Sequence, residues 1–92
     1  MEQLTQHAAA RMQQRGIKEQ TLECLFEFGS KTHDHKGGVV VFFDKQARKR
    51  LQGRFGKDGV RQMESQMDAY AVISQRGDVV TVGHRTKRIN RH

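Results

Sequence analysis

The chain holds a single cysteine, Cys24, so no disulfide can form within it and nothing points to an oxidising compartment. Cys24 stands beside Leu25 in a helical pattern, where a small buried hydrophobe is expected and a reactive thiol is not. Aromatic residues make up only 7%, with one tyrosine and no tryptophan. An extended base-stacking platform, the hallmark of dedicated single-strand binders, cannot be built from so few rings. No apolar run approaches a membrane span, and the opening MEQLTQHAAARMQQRG has an early acid and no apolar segment of signal-peptide length. A cytoplasmic protein with no membrane partner is therefore expected. Repeats, linkers and low-complexity tracts are missing too. GRFGKDG has lysine and glycines but not the order of a phosphate-binding loop, and it follows a helix pattern where such a loop follows a strand, which argues against nucleotide hydrolysis.

What the chain does have is positive charge. Its 92 residues carry 17 Lys and Arg against 10 Asp and Glu, a formal net charge of +7. A chain of this length is expected to form a single domain, 1–92, around one core. Mean hydropathy is low, at -0.82, yet the apolar residues fall in periodic or continuous runs and are not diluted as in a disordered chain. The charge suits a polyanionic partner, RNA or another nucleic acid, with an acidic protein as the other choice.

The pattern predicts the elements in turn. LTQHAAARMQQRG reads as a helix capped by Thr5 and ended by Gly16, with Leu4, Ala8 and Met12 toward the core. KEQTLECLFEFG predicts a second helix, with Leu22, Leu25 and Phe26 on one side and an acidic ridge of Glu19, Glu23 and Glu27 on another. KTHDHKGGVVVFFD predicts a hairpin about Lys36-Gly37-Gly38, and the run Val39 to Phe43 predicts a strand covered by helices on both faces. From Asp44 the period turns helical, with Ala47, Leu51 and Phe55 in one row. GKDG breaks that helix before a shorter one through Val60, Met63 and Met67. AYAVISQ and DVVTVGH predict two strands about Arg76-Gly77. The expected fold is α+β, in the order α-α-β-β-α-α-β-β, with an N-terminal helix pair packed on a mainly antiparallel sheet of about four strands.

Two constellations could carry chemistry. His7, Arg11 and Arg15 recur at i, i+4, i+8 and form one stripe along the rim of the first helix, where guanidinium forks and an imidazole could meet a phosphate. The plainer account is that these arginines pair with the acidic ridge of the second helix. At the other end, DVVTVGHR alternates, which places Val80, Val82 and His84 on one face and Val79, Thr81 and Arg85 on the other. Gly83 between them lets a backbone or ligand approach closely. Lys87, Arg88 and Arg91 follow. His33 and His35 share a face of the first predicted strand, but nothing supplies the further ligands of a metal site, and neither a metal nor a cofactor is expected.

HAAARMQQRGI, a second helix, a glycine hairpin and the closing VVTVGHR strand resemble a family of small bacterial domains often grouped with the RelE/ParE and BrnT-type toxins. The likeness covers nearly the whole chain in element order. Its most specific part is the pattern His7, Arg11, Arg15, Gly16, together with the strand around Thr81. The resemblance implies a RelE-like compact α+β fold with an RNA-cleaving surface on its sheet, and a partner antitoxin that is acidic or DNA-binding. The chain departs from RelE-type toxins in its N-terminal histidine helix and in the spread of its basic residues. On that reading it is a metal-independent endoribonuclease of a toxin-antitoxin system. His7 and His84 would be base and acid, His33 a further possibility, and Arg11, Arg15, Arg85 and Arg88 would stabilise the transition-state charge. Lys45, Arg48, Lys49, Arg54, Tyr70, Thr81, Lys87, Arg88 and Arg91 would bind the nucleic acid, Tyr70 by stacking a base or donating a proton. The alternative is a non-catalytic basic module that binds nucleic acid or an acidic protein.

Overall fold

The computed structural model describes residues 4–34 and 37–85. Helix α1 spans Gln6–Gln14 and α2 spans Glu19–Phe28. Strands β1 (Ser30–His33) and β2 (Val39–Phe42) form the first hairpin. The long helix α3 (Lys45–Gln62) and a 3-10 turn at Glu64–Gln66 lead to β3 (Ala69–Ile73) and β4 (Val79–His84). All four strands join one antiparallel sheet in the order β1-β2-β3-β4. The fold is the α+β arrangement expected from the element pattern.

Local chemistry sets the ends of α1. Thr5 Oγ1 accepts from Ala8 N at 3.1 Å and donates to the Val79 carbonyl at 3.1 Å. One side chain thus caps the helix and pins its start to β4. At the other end Gly16 takes φ +64, and the amide of Ile17 donates to Met12 O at 2.9 Å. This left-handed stop admits glycine without steric cost and satisfies a carbonyl that the helix leaves open. Leu4 does not face the core as expected. It lies before the helix, bridged to Val79, and is 39% exposed.

Helix α3 begins where Asp44 accepts from Ala47 N at 2.8 Å. Its backbone leaves helical geometry at Gly56 (φ 76, ψ 173), so two arms meet at the first residue of GKDG, where the sequence predicts the break. Ala47 and Leu51 are buried as expected, but Phe55, the next member of their row, is 38% exposed because the bend follows it at once.

The core lies between the helices and one face of the sheet, with Ala8, Met12, Leu22 and Leu25 against Val41, Ala71, Val79 and Val82. Truncating any of the larger of these side chains costs about 2–5 kcal/mol. Cys24 is buried, and that burial, with Glu27 and Glu23 nearby, pushes its thiol pKa up, as befits an inert side chain. β2 is internal to the sheet, but the helices cover only one of its faces among the described residues. The second face carries the half-buried Thr32, Val40, Tyr70, Val72 and Thr81 with the buried Phe42 and Gly83, which the strand registers place together. β4 does not alternate strictly. Ile73 pairs with Val79 and Val72 with Thr81 across a bulge. The extra residue, Val80, drops out of the ladder, and Val79 joins Val82 and His84 on the helix-covered face.

Candidate functional site

α1 lies along β4 in the same direction, with Thr5 at Val79 and Arg15 at His84. Residues 69 positions apart therefore touch. His84 Nε2 is 2.9 Å from the Arg15 carbonyl, and its Nδ1 is 2.6 Å from Asp68 Oδ1. Both partners are acceptors, so both ring nitrogens donate only when the imidazole is charged. Burial by itself would pull the His84 pKa down. The hydrogen bonds to Asp68 and to the Arg15 carbonyl, with the charge of Asp68, outweigh burial and the opposing charge of Arg15, leaving the pKa raised above 6.5. His84 is a cationic staple between α1, the start of β3 and the end of β4.

That staple holds the root of Arg15, and Gly83 makes room for its head. A Cβ at Gly83 would collide with Arg15 Nη1 and lie 3.0 Å from the hydroxyl and Cε1 of Tyr70. The guanidinium thus passes over the strand at the one position of β4 without a side chain and arrives beside the Tyr70 phenol. Tyr70 and Gly83 are paired across β3 and β4 on the face the helices leave uncovered. A planar donor fork and a hydroxyl donor close together suit a phosphodiester oxygen pair.

Arg85 reaches the same face from the end of β4. Its guanidinium stands 5.6 Å from the centroid of the Phe42 ring, and Phe42 is the register partner of Tyr70. Nη2 donates to Phe43 O at 2.8 Å, the backbone amide donates to Asp68 O at 2.7 Å, and Nε is buried without a hydrogen-bond partner. Arg85 is therefore a clamp on three strand ends that also puts positive charge against Phe42.

The other predicted residues disperse. Arg11 Nε donates to His7 Nε2 at 3.4 Å, which requires a neutral imidazole at His7. His7 is eight residues from Arg15, about 12 Å along the helix at 1.5 Å per residue. The α1 arginines make no ion pair with the acidic ridge of α2: the ion pairs among the described residues are Arg48–Glu64 and His84–Asp68. Lys45, Arg48, Lys49 and Arg54 lie on α3, on the helix side of the sheet. There Arg48 is joined to Glu64, and Arg54 packs 5.1 Å from the centroid of the Phe55 ring. Thr81 is on the open face, opposite Val72. His33 is on β1, at the far edge from His84, three strand spacings or about 14 Å across the sheet and four residues or about 13 Å along it. Among the described residues no group of three or more possible ligands is placed to hold a metal. His35, Lys87, Arg88 and Arg91 lie outside the described residues.

Nothing matched this chain among protein-family models, curated proteins or solved structures.

Two partners of the site escape a reading by motif. Asp68 has no signal of its own, although hairpin counting from Arg76-Gly77 pairs Ala69 with His84 and so puts Asp68 next to it. Gln66 is the other. Its Oε1 accepts from Thr21 Oγ1 at 2.9 Å and its Nε2 donates to Gly16 O at 3.3 Å, tying the turn after α1 to the approach to β3.

Proposed function

We propose that this protein is a small RNA-directed enzyme of the toxin type, a metal-independent endoribonuclease, whose substrate backbone lies across the uncovered sheet face at the mouth formed by Arg15, Tyr70 and Gly83. The likeness of its N-terminal helix and closing strand to the RelE/ParE and BrnT-type toxins agrees with that assignment. The observation that carries it is the Arg15 guanidinium lying over Gly83 beside the Tyr70 hydroxyl. Cleavage through a 2′-hydroxyl crowds negative charge on the phosphate, and preorganised donors aimed at that charge supply most of the stabilisation. Arg15 grips the non-bridging oxygens, Tyr70 protonates the leaving 5′-oxygen, the 2′-hydroxyl proton passes to solvent water, and Arg85 adds a fixed positive field. His84 works best as the imidazolium that positions Arg15. To act in proton transfer it must first release the Asp68 carboxylate or the Arg15 carbonyl. The cytoplasm is the compartment in which RNA of this kind is met, and among the described residues no helix is long and apolar enough to cross a membrane. An acidic antitoxin would neutralise the same cations.

One observation favours a second reading, RNA binding without cleavage. His7, whose Nε2 is held as an acceptor, is about two turns of helix from Arg15 and so faces a neighbouring nucleotide instead of the phosphate gripped there. One experiment separates the two. Purified wild type, Arg15→Ala, Tyr70→Phe and Gly83→Ala are incubated with a mixed-sequence RNA in EDTA. Cleavage by the wild type, reduced about 100-fold or more in Arg15→Ala and clearly in the other two, is the expected result. RNA bound but left intact by the wild type selects the second reading, and RNA neither bound nor cut removes both.

A further inference from the structure

We propose that the cleft between the start of α2 and the bend of α3 is a nucleobase-binding pocket, in which a base stacks on Phe55 and is read by the amides of Gln20 and Gln62. The proposal deepens the RNA reading above by assigning the surface that would choose among bases. The cleft holds about 230 Å³ and is lined by Lys18, Gln20, Thr21, Phe55, Gln62 and Met63, with Gly59 and Gln66 completing it. Sites for drug-sized ligands run to about 300–1,000 Å³. This one therefore suits one ring system with its substituents and not a dinucleotide.

Its chemistry is that of base recognition. Phe55 is 38% exposed, a ring left in water where a core position is expected. The ring is nevertheless held: Phe28 meets it edge-on at 5.8 Å between centroids, and Arg54 packs against it. A fixed, exposed aromatic ring beside cations is a ready stacking surface. Gln20 and Gln62 offer a donor and an acceptor each, the pair of functions that reads a base edge, and neither side chain has a hydrogen bond among the described residues. Lys18 supplies a cation for the adjoining phosphate. The pocket is built by glycine geometry. Gly56 bends α3, and Gly59 has no side chain where a Cβ would lie 2.6 Å from Phe55 Cβ. Gln66 in its wall bonds the carbonyl of Gly16 and the amide of Lys18, which ties the cleft to the turn after α1.

The test is an amide-resolved NMR titration of the full chain with the four ribonucleoside 5′-monophosphates, with ribose 5-phosphate, and with a short single-stranded RNA. Phe55→Leu, which keeps an apolar side chain against Phe28, and the Gln20→Ala/Gln62→Ala double variant are titrated beside the wild type. The nucleotides should shift the resonances of Lys18, Gln20 and Gln62, to different extents for different bases. Affinity should fall at least about fivefold in Phe55→Leu. The RNA should shift the same resonances, and RNA that binds elsewhere while leaving them unmoved would overturn the assignment. Equal shifts with ribose 5-phosphate, or none with any nucleotide, or shifts that neither variant weakens, would overturn the pocket. Its failure is distinguishable from that of the RNA reading: loss of RNA binding in Arg15→Ala with no effect of Phe55→Leu or the glutamine variant sinks this inference alone. A wild type that binds nucleotides but no RNA sinks the other.

Discussion

At the scale of single residues, the chemistry of the site turns on His84. A histidine whose two nitrogens face a carboxylate and a carbonyl is useful only while it is charged, and the raised pKa records that preference. Since the folded-state value lies above 6.5, its contribution to stability is complete below about pH 6.5 and is lost as the pH rises through the folded-state value. Asp68 is half exposed, so solvent weakens the pair and the contribution is on the order of 1 kcal/mol. Urea unfolding of wild type and His84→Asn at about pH 5.5 and about pH 9 checks this. The stability gap between the two proteins should be clear in acid and shrink in base. A gap that widened with pH would mean that His84 is held neutral. Residue identities were visible in the sequence as far as His84, Arg15 and Tyr70 go. Their roles were not, because a strand pattern says which face a histidine takes and nothing of the acceptors that meet it from another segment.

At the scale of elements, periodicity carried most of the information. Capping at Thr5, the stop at Gly16, the glycine hairpin and the break in GKDG are all local events, decided by a few adjacent residues, and each is found where the pattern predicts it. What escaped is the bulge in β4, which depends on how two strands register and which shifted Val79 to the face of His84. The uncovered second face of β2 escaped for a similar reason: a run of apolar residues says that a strand is central and leaves open which faces the helices reach. The bend in α3 makes a test at this scale. Gly56 sits at φ +76 with nothing near the position of a Cβ, so Gly56→Ala meets backbone strain and no steric collision. It should destabilise the fold by about 1–3 kcal/mol, read as a lower midpoint in denaturant with an unchanged slope. Gly53→Ala is the control, since Gly53 has equally open space and a helical backbone, and there alanine should be neutral or mildly stabilising.

At the scale of the whole molecule, the positive charge of the described residues is not one patch. The cations of α3 lie on the helix side of the sheet, and Arg15 and Arg85 at the uncovered face. A short single-stranded RNA bound at the Arg15 mouth should therefore contact few phosphates. Its affinity should fall with salt on a logarithmic slope of about −1 to −1.5, at about −0.7 per phosphate neutralised. Fluorescence anisotropy across a salt series measures it, and a slope several times steeper would mean that the α3 cations join the same footprint. Net charge was legible from composition, whereas its division between two sides was not, because that division is set by which elements stack on which face. The meeting of Arg15 with β4 has one more consequence, in time. During synthesis the helix bearing Arg15 leaves the ribosome seconds before Gly83 and His84 do, at about 5–20 residues per second. Every nascent chain short of β4 lacks an assembled mouth, so translation itself acts as a safety catch on the activity proposed here.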